Sequence, residues 1–140
     1  MQNLPSVSLE EARGIIAGGE RKAQEIGQPV NIAVVDAGGN LVAHARMDGA
    51  WVGSVDISIN KAFTARAFDI STRDLADNAQ PGSQFFGIHA SNKGRVMIFA
   101  GGIPLQHDGR VVGAVGVSGG TGEQDQAIAE SAVAAFQPAE

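Results

Sequence analysis

The apolar positions open on a helical period: Leu9, Ala12, Ile15, Ile16, Ala23 and Ile26 follow Ser8, with Glu10 and Glu11 in the first turn. Gly27 and Pro29 end that run. Residues 30–36 are then β-branched and apolar, Ala37-Gly38-Gly39-Asn40 has turn chemistry, and 41–47 resumes a strand pattern, which predicts a hairpin. Over 54–68, Val55, Ile59, Ala62, Phe63 and Ala67 share a helical face, with Ser54 placed as its cap. Ser71-Thr72-Arg73-Asp74-Leu75 predicts another cap and a short helix, and Pro81-Gly82-Ser83 a loop leading to Phe85-Phe86-Gly87-Ile88. Three more strands are expected at 96–99, 103–106 and 110–118, the last two joined by an Asp108-Gly109 hairpin turn. A final helix runs from Glu123 to about Phe136, with Ala127, Ile128, Ala132 and Ala135 inward. The order α-β-β-α-α-β-β-β-α predicts an α/β (α+β) fold in which helices flank a five-stranded antiparallel sheet. No linker or repeat divides residues 1–140, so one domain is expected.

Composition narrows the function. At 140 residues, 44% hydrophobic and 18% charged, the chain has the material for one core. A net charge of -5 with ten Lys and Arg offers no basic field for phosphate backbones, so a nucleic-acid partner is not expected. Residues 1–8 lack a basic region followed by an apolar one, and no apolar run is long enough to span a bilayer. Neither a membrane nor a secretion signal is expected, and cytoplasm is the default location. Without cysteine there are no disulfides, thiolate metal sites or cysteine nucleophiles.

Four segments crowd polar groups at element ends: 36–40, 46–49, 101–104 and 118–125. Asp36 and Asp108-Gly109 are accounted for by turn capping. Arg46 leaves a strand just before Met47-Asp48-Gly49 and could clamp a ligand carboxylate, although on these residues alone a surface ion pair to Asp48 or Asp56 is the better account. Lys61 and Arg66, five residues apart, do not share a helical face closely, which puts one toward a ligand and the other toward solvent. The bend Ser118-Gly119-Gly120-Thr121-Gly122 offers amides and a helix start to an anion, while Glu123 and Asp125 oppose one and serve the helix dipole. His44, His89 and His107 show no metal-site spacing, so no metal centre is expected, although each could singly ligate a haem iron; His89, near Phe85 and Phe86, has the most pocket-like company.

Taken together, Arg46-Met47-Asp48-Gly49-Ala50, Lys61-Ala62-Phe63-Thr64-Ala65, Gly101-Gly102-Ile103-Pro104-Leu105 and residues 113–120 followed by Glu123-Gln124-Asp125 resemble the GlcG/HbpS family, which includes the PduO C-terminal domain. The resemblance runs from the first helix to the last. It implies an α-β-α arrangement related to the profilin-like layout, a homo-oligomer, commonly an octamer, and a small anionic ligand of which haem is the leading candidate. Arg46, Lys61 and Arg66 would then supply cations for propionates, Met47, Trp51, Phe63 and Phe86 walls, and a histidine or Met47 the approach to iron. Gly101, Gly102, Ser118 and Gly119 complete the expected binding set. The alternative is a catabolic isomerase, lyase or hydrolase on a small carboxylate, with Arg46 as anchor and Asp48, Glu123 or Asp125 as acid or base. A third reading is a scaffold or interaction module, marked by an exposed apolar patch without a convergent polar pocket.

Overall fold

Ser8 caps the first helix reciprocally: its hydroxyl accepts from Glu11 N–H while the Glu11 carboxylate accepts from Ser8 N–H. The computed structural model describes residues 1–139. In chain order it has α1 (Leu9–Ile26), β1 (Asn31–Asp36), β2 (Leu41–Arg46), α2 (Gly53–Phe68), α3 (Thr72–Asn78), β3 (Gly102–His107), β4 (Arg110–Ser118) and α4 (Gly122–Ala134), with 3₁₀ turns at Ile88–Ala90 and Asn92–Gly94. Both tight turns follow from local chemistry. Asp36 Oδ1 accepts from Gly38 and Asn40 N–H in the β1–β2 turn, and Asp108 and Gly109 both take positive φ between β3 and β4.

All strand pairs are antiparallel, in the order β2-β1-β4-β3. Alternation along the central strands separates two apolar layers. Ile32, Val34, Val115 and Val117 pack with Ile15 and Ile128 beneath α1 and α4. Ala33, Val35 and Ala114 meet Ala62 and Ala65 of α2 on the other face. That second layer is built of small residues, and α2 lies close on the sheet as a result. At Gly116 a Cβ would collide with the Ser58 carbonyl and the Ala62 amide of α2. This close seat carries Lys61 to the end of β4, where the site lies.

The sheet has four strands, not five, because the apolar run at 96–99 does not join it. A threonine of α2 takes its backbone groups instead: Met97 N–H donates to Thr64 Oγ1 at 2.9 Å, and the Thr64 hydroxyl lies 3.3 Å from the Arg95 carbonyl. Val96, 1% exposed, pins the run against the core. The start of α2 also differs from expectation. Val52 occupies the cap position without a side-chain cap bond, and Ser54 is buried inside the helix. Ser71 does cap α3, accepting from Asp74 N–H.

Candidate functional site

Lys61 projects from α2 toward the C-terminal end of β4. Its ammonium donates to the Val117 carbonyl at 2.8 Å and to Asp125 Oδ2 at 3.1 Å, with the two charged side chains only 3% and 5% exposed. The other Asp125 oxygen accepts from Gly120 N–H at 2.8 Å. Burial draws the Lys61 pKa below the ordinary lysine range, and the Asp125 charge and hydrogen bond oppose that shift. An ammonium has three N–H donors, and two are engaged within the protein.

The Gly101-Gly102 break is sewn into the same cluster. Gly101 N–H donates to Gln126 Oε1 at 3.2 Å, Gly102 N–H to Thr72 Oγ1 at 2.9 Å, and the Gly101 carbonyl accepts from Val117 N–H at 2.9 Å. Gly101 takes φ +124, and a side chain there would collide with the Val117 carbonyl and stand 3.0 Å from Lys61 Nζ. Glycine is required at this position on both counts.

Beside the ion pair opens a cavity of ≈ 410 Å³, walled by Ile57, Phe99 and Ala100 on its apolar side and by Lys61, Ser118, Gly120, Gly122 and Asp125 on its polar side. The Ser118 residue is 5% exposed, faces this cavity, and its hydroxyl has no hydrogen-bond partner among the described residues. At the start of α4, Thr121 and Gln124 cap each other reciprocally and Asp125 N–H bonds the Thr121 carbonyl. Gly122 and Glu123 N–H are left over among the described residues, at the positive end of the helix. The polar wall is therefore a set of fixed donors suited to a carboxylate.

The structure thus brings together Lys61, Gly101, Ser118 and Asp125, with Gly102 and Gly119 shaping the backbone beside them. Gly119, at φ +140, passes against Pro29 and Val30. Glu123 is exposed, one residue past the glycine that lines the cavity. The other candidates lie elsewhere. Arg46 and Asp48 are exposed at the end of β2 and in the turn after it, with no ion pair to each other or to Asp56 among the described residues. Met47 packs into the layer beneath α1, and Arg66 is held by the Ala37 carbonyl at 2.6 Å and Asp69 at 2.7 Å, tying α2 to the β1–β2 turn. Phe63 lies under the Arg95 guanidinium, 3.9 Å from its ring centre. Trp51 is 69% exposed, and its carbonyl accepts from buried Asn31.

None of the histidines lines the cavity. His89 is exposed, edge-on to Phe86 with ring centres 6.0 Å apart. His44 lies opposite Ala33, its Nε2 buried without a partner; burial, and secondarily Arg46, lowers its pKa. His107 sits 3.4 Å from Asp108. Sequence reasoning passed over Ile57, Phe99, Thr72 and Gln126. Phe99 carried a misleading strand signal, and the other three carried none.

Comparison with known proteins follows the fold. A family model described as haem degrading protein HbpS-like matches residues 7–134. The 15.0 kDa protein in the dhaT-dhaS intergenic region of Citrobacter freundii is 45% identical over 135 residues, covering 96% of this chain and 95% of that protein. The crystal structure of Klebsiella pneumoniae protein ORFY superimposes with a TM-score of 0.96 at 42% identity, over 100% of this chain and 97% of that one. The crystal structure of a PduOC:heme complex does so with a TM-score of 0.89 at 36% identity, over 92% and 94% of the two chains.

Proposed function

The chain belongs to the HbpS-like family, the GlcG/HbpS group that its motifs resemble, and from that premise we propose that it binds a carboxylate-bearing ligand, haem first among them, as a homo-oligomer. The observation that carries the proposal is the make-up of the cavity wall: Ser118, whose hydroxyl is open to solvent and makes no hydrogen bond among the described residues, stands beside a buried ammonium and the start of a helix. A hydrogen bond from that hydroxyl to a ligand carboxylate would replace one made to water. The haem complex of the PduOC relative supports the choice of haem.

The residues present fit one edge of a haem. Ser118, Gly122 N–H and Lys61 would hold propionate oxygens, and Ile57, Phe99 and Ala100 would cover apolar porphyrin. Bound there, haem would supply a redox-active iron centre. The same cavity holds no histidine, whereas His89 stands on the outside of the fold among exposed Phe85 and Phe86. For His89 to ligate iron bound at this cavity, a neighbouring copy would have to present it, and the site would then be complete only in the oligomer. The octamer implied by the sequence resemblance and a cytoplasmic setting belong to the same proposal; among the described residues no helix is long and apolar enough to cross a membrane.

A small carboxylic acid would use the same donors, and the cavity's ≈ 410 Å³, near the low end for ligand pockets, favours it over a macrocycle within a single chain. A haemin titration followed by absorbance, with Ser118→Val and His89→Ala beside the parent, tests the proposal. Saturable binding is expected, weakened about tenfold or more by Ser118→Val, since a hydrogen bond to a charged group is worth about 1.5–3 kcal/mol. His89→Ala is expected to alter the absorbance band of the bound iron. Unsaturable binding indifferent to both substitutions would reject haem and leave the small acid as the ligand.

A further inference from the structure

A second cavity of ≈ 390 Å³ adjoins the first and shares Ala100 and Gly122 with it. These two small residues form the saddle between the cavities: a Cβ on Gly122 would stand 3.8 Å from the Ala100 Cβ. The two cavities lie side by side at the start of α4, separated only by these two small residues.

The second cavity contains a donor whose direction is fixed. Gln126 is 7% exposed and its Oε1 accepts from Gly101 N–H, which sets the amide orientation and turns Nε2 away from that contact. Nε2 has no partner among the described residues, and Gln126 lines the second cavity. From the opposite wall comes Arg73 of α3, whose only ion pair among the described residues is a 4.0 Å contact with the neighbouring Asp74. Two donors from different helices thus meet over the same space. Glu123 and Glu130 also line it, both exposed as Arg73 is, so the buried Gln126 amide is the donor that selects for an oxygen there.

We infer that Gln126 and Arg73 form a second subsite, which takes a hydrogen-bond-accepting oxygen of the ligand. The ligand then carries acidic or carbonyl oxygen at both ends of a short apolar span. This rests on the reading that the first carboxylate sits at Ser118 and Lys61. A free dicarboxylic acid and the paired propionates of haem share this chemistry.

The test is calorimetric titration of the full chain with three acids of equal backbone length: butyrate, succinate and 4-aminobutyrate. Succinate is expected to bind about three- to tenfold more tightly than butyrate, and 4-aminobutyrate no more tightly than butyrate. Gln126→Glu keeps an oxygen for Gly101 N–H while replacing the donor, so the succinate advantage should vanish. Arg73→Gln, at an exposed position, should reduce that advantage without disturbing the fold. Displacement of succinate by haemin would support the second subsite as a propionate site, and retention beside haemin would support it as a site for a free diacid. Equal binding of all three acids would overturn the second subsite and leave the first carboxylate site standing. Tightest binding by 4-aminobutyrate would overturn it in favour of Glu123 and Glu130. No binding by any acid would remove the carboxylate site and the second subsite together.

Discussion

Replacing Asp125 with asparagine isolates the charge at the centre of this fold. The amide side chain can still accept from Gly120 N–H through its carbonyl oxygen, so the bend is kept while Lys61 loses both its counter-ion and the acceptor it had at Oδ2. Both side chains of the native pair are almost fully buried, 3% and 5% exposed, and removing one partner of such a pair costs about 3–5 kcal/mol because the remaining charge is left uncompensated. Against a typical domain stability of about 5–15 kcal/mol, Asp125→Asn should remove a large share of the protein's stability at neutral pH. Urea denaturation reads the change as a lower midpoint at constant slope. Adding Lys61→Met to Asp125→Asn should restore most of the loss, since the double variant buries no charge at this point.

The pH dependence gives an independent reading of the same pair. Folded Lys61 holds its proton less tightly than the unfolded chain does, because burial lowers its pKa. Between that lowered value and the ordinary lysine value of about 10.4, the unfolded state binds more protons and stability rises with pH. Asp125 opposes the lowering, so its removal extends this window downward and the Asp125→Asn deficit should shrink on going from neutral to alkaline pH. A single variant within about 1 kcal/mol of the parent would refute the buried-charge account, as would a double variant no more stable than the single.

Gly116→Ala should cost about 1–3 kcal/mol by urea midpoint, because its Cβ meets the backbone of α2 rather than a mobile side chain. Thr64→Val should cost about 1–3 kcal/mol and speed hydrogen exchange at the Met97 amide, which loses its acceptor. On the acid side, His44 is held below its ordinary pKa by burial, so its neutral form contributes stability that is lost as pH falls below about 6.5. Glu11 is lowered by hydrogen bonds from Ser8 and Ala139, and its contribution is lost further down, as pH falls below about 4.3 through its folded value. A His44→Phe variant whose unfolding midpoint keeps the full fall between pH 7 and pH 5 would contradict the assignment of His44.

The helices and the two hairpins were legible because their signals are local. Ser8 and Glu11, Asp36 with its two amides, and Asp108-Gly109 all interact within four residues of one another. The run at 96–99 shows the limit of that kind of signal. Val96, Met97, Ile98 and Phe99 have the composition of a short buried strand, and periodicity registers burial without saying what satisfies the backbone. Here Thr64 supplies the acceptor, 33 positions away, and the sheet closes without a fifth strand. The Lys61–Asp125 pair is harder still, since 64 positions separate its members and each has an ordinary surface explanation in its own segment.

Two acidic residues at the start of α4 show what burial adds to sequence. Glu123 and Asp125 are two positions apart, which on a helix turns their side chains to different faces. Both belong to the first turn and both suit the helix dipole. Only Asp125 points inward, where Lys61 and Gly120 occupy both of its oxygens, so its role is to neutralise the ammonium and hold the bend. Ser118 is left as the polar side chain at the cavity wall with nothing to bond. An anion bound there would be held by a hydroxyl, by leftover helix amides and by the third proton of a neutralised ammonium, rather than by net positive charge. That arrangement suits a chain of net charge -5, which could not attract an acid through its overall field. Because its one cation is buried and already neutralised by Asp125, acid binding at this site should also depend only weakly on salt, in contrast to capture by exposed cations such as Arg46.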